Sequence, residues 1–537
     1  MGDGSSEDMT WNLPPFSSPL AKSDFGIRPR EAMDAAGSIE IVRPKRKKPK
    51  LTAFLFSTTV FSSIGMFQCG YSLWIVHSSA AIISEFHNAT LKPVKEQPNE
   101  LKFDDELLAV TTIMFPIGAL SGLLLLGFLV DHWGRKGTLF LSNCINIACA
   151  TLLGLSRSWN SYNVGIFARL LNGMSSGMFS CVVPLYIVEI SPPNVRGALH
   201  VVSTWFLTMG VLMAQILGLH EALGNREGFP HLMSLVGVIA ILNMVLLQFV
   251  PESPRFLLIQ KGNETEARQA LKMLRQKDNV EEEVEEMLLE DLCEKAEKNM
   301  NLLKLLCFRE LRRHMICTII LMAGNQLTGV HGVYFYAERI YLSLGIGSKY
   351  IRFMLLGVNG GLHLVTLLVI FSIDSVGRRF LLLIGIMICS MISILLAVFL
   401  ELQVKNNPSW AYISTMLVLL FLAAQMVGPA PVPYLLVGEL FLQSARGSAC
   451  MIGGFVNWFS RLFVPLMFIR LEPLIGPYIF LLFWPISIFI FIYIFKMIPE
   501  TKGRTFMEIQ KAMEMRLQKK EHRKRRAKSK AGVNSFH

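Results

Sequence analysis

The residues in this 537-residue chain whose types and spacing could do chemistry are acids and bases that occur twice. Asp131-His132-Trp133-Gly134-Arg135-Lys136 returns about 250 residues later as Asp374-Ser375-Val376-Gly377-Arg378-Arg379. Glu189, followed by Arg196-Gly197, returns as Glu439 with Arg446-Gly447. Pro251-Glu252-Ser253-Pro254-Arg255 returns as Pro499-Glu500-Thr501-Lys502-Gly503-Arg504. Charges at the ends of apolar segments are costly unless paired. Topogenic charge would account for the bases but not for acids at matched spacing. Arg135, Glu189, Arg196, Glu252, Arg255, Asp374, Arg378, Arg379, Glu439 and Arg446 are therefore expected to form an ion network that holds one side of the molecule closed and breaks when that side opens. Bond chemistry is not on offer. There is no Ser/His/Asp set, no metal-ligand spacing and no phosphate loop, so no enzyme, metal site or cofactor is expected.

The elements that must position these charges are apolar. Hydrophobic residues make up 52 % of the chain, mean hydropathy is +0.44 and charged residues are 17 %, against about 25 % in soluble domains. The apolar residues come in blocks such as 379–401 and 474–498, longer than the roughly 20 residues a helix needs to cross hydrocarbon. Twelve transmembrane helices are expected, near 52–83, 106–129, 138–157, 162–188, 197–219, 230–250, 312–344, 350–373, 379–401, 411–440, 447–468 and 474–498. The net charge of +12 does not point to nucleic acid. Its basic clusters (43–50, 134–136, 377–379 and 519–530) all fall on one side when the spans alternate, as the positive-inside rule requires. The partners are the lipid bilayer and a small solute. The first 50 residues are polar, with no apolar core of a cleavable signal. The nine cysteines fall in spans or inner segments, so no disulfide is expected.

Charged motifs repeating in order, six spans apart, give the parallel-repeat plan of major facilitator transporters, in which solute is held between two halves. The expected organisation is an inner tail at 1–51, a six-helix bundle at 52–250, linker helices at 251–311, a second six-helix bundle at 312–498 and a basic tail at 499–537. Alternating charge in 251–311 suits short amphipathic helices that latch the halves.

At this point the chain resembles a known family, the facilitative glucose and fructose transporters, the sugar-porter branch of the major facilitator superfamily. The likeness runs from about residue 52 to 510. It rests on Gly70-Tyr71, Gly134-Arg135-Lys136, Arg169, Glu189 to Arg196, Pro251 to Arg255, and Asn325-Gln326-Leu327-Thr328-Gly329. The second half adds Gly377-Arg378-Arg379, the Gly428 to Pro433 cluster, Glu439 to Arg446, Asn457-Trp458 and Pro499 to Arg504. The resemblance implies a central cavity where amides hold hexose hydroxyls and aromatics stack on the ring. It puts Asn325, Gln326, Asn457 and Trp458 in contact with substrate, makes Tyr334, Phe335 and Tyr336 the outer gate, and makes the Gly/Pro cluster a break in span 10.

The chain departs from the family pattern inside that cavity. Thr204 stands for the span 5 Gln, His331 for the Asn after the span 7 motif, and Leu362, beside His363, for the span 8 Asn. Met426 stands for the span 10 Glu, Tyr434 for the Trp after the break, and Arg461 for an amide in span 11. His77 replaces a span 1 Asn. His77 and His363 have a bland reading as structural hydrogen bonders facing a neighbouring helix. Arg461 does not, because an intramembrane charge is a functional residue by default. The substrate set is thus Asn325, Gln326, His331, Tyr434, Asn457, Trp458, Thr204 and Arg461. Ser72 stands where proton-coupled relatives carry an acid, which favours uniport. The expected function is uniport of a hexose. The alternatives are carriage of an anion or non-hexose solute such as urate, and a nutrient receptor that signals without transport. Asn88-Ala89-Thr90, in the first outer loop, is the expected glycosylation site of a plasma-membrane protein with both termini in the cytosol.

Overall fold

The computed structural model describes residues 51–91, 100–159, 162–225, 228–297, 311–405, 410–513 and 515–516, and among these every regular element is a helix. A backbone group in hydrocarbon has no water to bond, so each apolar run closes its hydrogen bonds on itself. Among the described residues, nine stretches are long and apolar enough to cross a membrane. Two of them contain a second crossing: Ile113–Gly154 turns at Gly134, and Gln443–Met497 turns at Gly476. With the shorter helix His231–Leu247, the described residues supply the expected twelve crossings.

Spans 2 and 3 are the two arms of Glu100–Trp159. Spans 4 to 6 are Tyr162–Ile190, Arg196–Leu217 and Phe229–Leu247. Spans 8, 9, 11 and 12 are Ser348–Val376, Arg378–Lys405, Gln443–Ile475 and Ile479–Met497. Span 7 is two helices, Leu311–Leu327 and Val330–Ser343, parted at Gly329 where φ is 90°. Span 10 is also two, Trp410–Val427 and Val432–Leu440. The prolines between them lack the N–H that would continue the ladder, so this break falls where the sequence placed it. Span 1 differs: it is one helix, Ala53–Leu91. Asn88-Ala89-Thr90 therefore lies in helical backbone and not in a loop, and the Asn88 side chain lies outside the described set.

The exterior is apolar, with Leu124 64 % and Phe371 75 % exposed. A water-facing protein would bury such side chains, whereas lipid solvates them. Spans 1 to 6 pack among themselves, as do spans 7 to 12. The two sets meet where span 5 lies on span 8 and where spans 2 and 4 meet span 11. Two further helices, Glu264–Arg275 and Glu281–Glu297, lie under the end that carries the repeated charges. The first is capped by Asn263, whose side chain accepts from the Glu266 amide at 3.2 Å. The tail at 1–50, the stretch 298–310 and the basic cluster at 519–530 fall outside the described residues.

Candidate functional site

The charged end is built from the repeats. Gly134 (φ 78°) and Gly377 (φ 109°) turn the chain between spans 2 and 3 and between spans 8 and 9. Each turn leaves the first amides of the next helix without a helical acceptor. Glu252 accepts from the amides of Arg135 and Lys136, both at 3.1 Å. Glu500 accepts from Arg378 and Arg379 at 3.0 and 3.1 Å. Only glycine fits either turn: a Cβ at 134 would lie 2.5 Å from Glu252 Oε2, and one at 377 would lie 2.9 Å from Glu500 Oε2. The repeated Pro-Glu motif is thus a pair of carboxylate caps at two helix N-termini, where negative charge is favoured. Burial lifts the Glu252 carboxyl above its ordinary range, against the pull of the Ser253 and Lys136 amides and Arg135.

The remaining charges cross between the two sets of spans. Glu189, at the end of span 4, pairs with Arg135 at 2.8 Å and lies 3.8 Å from Arg446 of span 11. Glu439, at the end of span 10, lies 3.9 Å from Arg378 and 3.6 Å from Arg196 of span 5. Each acid therefore holds one arginine of its own half and one of the other. The two nodes are not equally tight. Glu189 also accepts from Gln443 at 2.9 Å and from Ser253, whereas both Glu439 carboxylate oxygens lack a hydrogen bond of good geometry. Asp374 joins through the Ala198 amide at 2.8 Å and Arg378 at 2.8 Å.

Two members of the expected network sit differently. The Arg379 guanidinium turns to the Phe495 carbonyl at 2.6 Å and stacks on that ring, so only its backbone amide belongs to the charged end. Arg255 reaches neither Glu189 nor Glu439. It pairs with Glu290 and Glu286 of the linker, and Glu290 in turn lies 3.5 Å from Arg446. Phe506 was not anticipated. Its buried ring carries Arg446, Arg196 and Arg255 at 4.0, 4.1 and 4.6 Å, each at cation–π range. A signal was present: Phe256, stacked by Arg135 at 4.8 Å, stands about 250 residues earlier.

At mid-depth, four of the expected substrate residues form one chain. His331 Nε2 meets Gln326 Oε1 at 2.9 Å, Gln326 Nε2 donates to Asn457 Oδ1 at 3.0 Å, and Asn457 Nδ2 donates to Tyr434 Oη at 2.9 Å. Spans 7, 10 and 11 converge there. Asn325 is not in the chain; its side-chain and backbone oxygens accept from Gln425 at 3.2 and 2.9 Å, bracing span 7 on span 10. Trp458 is fully buried: its Nε1 donates to Ser180 at 3.0 Å, with Phe115 against its edge and Arg461 over its ring at 5.4 Å. An indole N–H needs a partner when buried, and Ser180 supplies it, so the ring forms a wall joining spans 4 and 11. Thr204 is half-buried and has no hydrogen-bond partner among the described residues. His363 does as its bland reading says, meeting Thr208 at 3.0 Å and stacking on Trp205 at 4.6 Å.

Of the expected gate, Tyr334 reaches across to Trp74 of span 1, with ring centroids 5.7 Å apart. Tyr336 points the other way, into Phe468 and Phe480, with its hydroxyl on Glu472 at 3.3 Å. Two residues apart on a helix is about 200° of turn, so the two tyrosines cannot share a face. The Phe335 and His77 side chains lie outside the described set.

Residues 58–513 match the family described as "Sugar (and other) transporter". The chain is 43 % identical to solute carrier family 2, facilitated glucose transporter member 5, of Rattus norvegicus, over 87 % of this chain and 93 % of that protein. It is 42 % identical to the Homo sapiens member 5, over 86 % and 92 %, and 40 % identical to member 7 of Mus musculus, over 86 % and 90 %. Among solved structures, the major facilitator proton:xylose symporter bound to 6-bromo-6-deoxy-D-glucose superposes with a TM-score of 0.74 at 20 % identity, covering 86 % of this chain and 100 % of that one. The inward open form of the E. coli xylose transporter gives 0.60 at 20 % identity, covering 86 % and 99 %. At that identity the likeness shows the fold.

Proposed function

The chain belongs to the sugar (and other) transporter family, and from that premise we propose that it is a facilitative carrier of a hexose such as glucose or fructose, working by alternating access. The carrying observation is the chain His331–Gln326–Asn457–Tyr434, in which each member bonds its neighbour and the two amides each keep a further N–H and a further acceptor lone pair. Sugar hydroxyls donate once and accept twice, so they can replace these bonds one for one. A solute lacking them leaves a buried amide unpaired, at about 1–3 kcal/mol. The crossed ion pairs supply the gate. When the halves part, Arg446 leaves Glu189 and Arg196 leaves Glu439, yet each acid keeps an arginine of its own half. The charged end then opens without stranding a buried carboxylate.

Uniport is supported at span 1. Arg169 donates to the Ser72 carbonyl at 3.1 Å, and Arg169 has no ion pair among the described residues. A proton cycle needs a carboxylate there to titrate. Purified protein in liposomes is expected to admit labelled D-glucose or D-fructose down a gradient, at a rate that a protonophore leaves unchanged. Absence of flux for both sugars, or collapse of flux on adding the protonophore, would overturn the reading.

The charged end and both termini face the cytosol in this proposal, and the carrier works at the plasma membrane. Asn88 is then the outer sequon, and Asn263-Glu264-Thr265, with Asn263 engaged as a helix cap, stays bare. Removing N-glycans is expected to shift the mobility of wild type and Asn263→Gln but not of Asn88→Gln. A shift that persists in Asn88→Gln and vanishes in Asn263→Gln would invert the topology.

A further inference from the structure

Arg461 lies within span 11, and no carboxylate pairs with it among the described residues. On the same helix, Phe459 and Phe463 are 51 % and 53 % exposed and face lipid. Residues two positions away lie about 200° round the helix, so Arg461 points inward. Its electrostatic neighbours are Cys69 of span 1, Tyr334 of span 7 and Tyr434 of span 10, which places the guanidinium where the two halves meet. It is half-buried there, with Trp458 as its floor at 5.4 Å. A charge inside a membrane protein is costly unless an opposite charge or water meets it. Phenols and a thiol give dipoles but no counter-charge. Asn457, the next turn of the same helix, belongs to the hydroxyl-bonding chain.

We propose that Arg461 is the carboxylate subsite of this carrier, so that its substrates include sugar acids such as a hexuronate. The guanidinium takes the carboxylate in a charge-assisted, two-pronged contact, while His331, Gln326, Asn457 and Tyr434 read the hydroxyls. The proposal rests on the hexose reading of that chain and narrows it. Neutral hexoses leave Arg461 to water and are carried less well than their acids.

The test uses full-length protein in liposomes with labelled D-glucuronate and D-glucose. Glucuronate uptake is expected, faster with the lumen held positive because a net negative charge moves. Arg461→Gln should lower it roughly ten- to a hundredfold, the range for one charged hydrogen-bonding partner. The same variant should raise glucose uptake relative to glucuronate, and Arg461→Lys should keep the preference for the anion. Should the variants fold poorly, wild-type protein alone decides: glucuronate should raise its melting temperature more than equal glucose at neutral pH. Glucose uptake with no glucuronate uptake or competition would overturn the carboxylate subsite while leaving hexose transport standing. So would chloride giving the same stabilisation as glucuronate. Failure to move either sugar would count against hexose transport itself.

Discussion

Glu189→Gln is expected to open the charged end. The Glu189 carboxylate is fully buried and meets Arg135 at 2.8 Å and Arg446 at 3.8 Å, one from each half. Removing one partner of a buried pair costs about 3–5 kcal/mol, because the other charge is left uncompensated. Gln443 and Ser253 still bond the new amide, so part of that loss is recovered. A net shift of roughly a hundredfold toward the open state remains, which needs only about 2.7 kcal/mol of differential stability. Cys450 is a natural reporter: it is 5 % exposed and lies one helical turn past Arg446 on span 11. Its labelling by a polar thiol reagent, applied from the charged side and mapped by mass spectrometry, should accelerate by at least tenfold, and net uptake should slow. Arg268→Gln is the control. It breaks pairs with Glu264 and Glu281 that are largely solvated, and such pairs contribute about 0–1 kcal/mol. Equal Cys450 labelling in Glu189→Gln and Arg268→Gln would sink the gate.

Gln326→Ala is expected to abolish most transport without unfolding the protein. Gln326 is an interior link of the polar chain, its Oε1 accepting from His331 Nε2 and its Nε2 donating to Asn457. Its loss leaves the Asn457 Oδ1 without its donor, at about 1–3 kcal/mol when no sugar is present, and removes one sugar contact when it is. Uptake at matched surface level should fall by roughly ten- to a hundredfold. Asn325→Ala, one residue away, should act differently. The Asn325 side chain and carbonyl brace span 7 on Gln425, so this change should lower the melting temperature more than it alters the choice among sugars. Reversal of the two phenotypes would show that Asn325, not Gln326, faces the substrate.

Much of this architecture was legible without coordinates. Long apolar runs in an otherwise charge-poor chain can only be helices in lipid, because no other form closes the backbone within a segment. The matched acids and bases announced a paired ion network, since charges kept at fixed spacing near the ends of spans must find each other. The break at Gly428 to Pro433 followed from the backbone limits of proline. These are local or periodic facts, written residue by residue.

What only the tertiary structure decided is who meets whom. That Arg446 crosses to Glu189 and Arg196 to Glu439, while Arg379 leaves the network for Phe495, depends on how two sets of helices are set against each other. The role of Phe506 as a shared floor for Arg196, Arg255 and Arg446 depends on where the chain returns after span 12. The same holds at mid-depth. Asn325 and Gln326 are neighbours in sequence, but about 100° of helical turn sends one to span 10 and the other to the polar chain. Tyr334 and Tyr336 part for the same reason. Sequence alone determined which residues carry hydrogen bonds and charge and the depth at which they lie. Rotation of each helix about its axis, set by packing against its neighbours, determined which of them face one another.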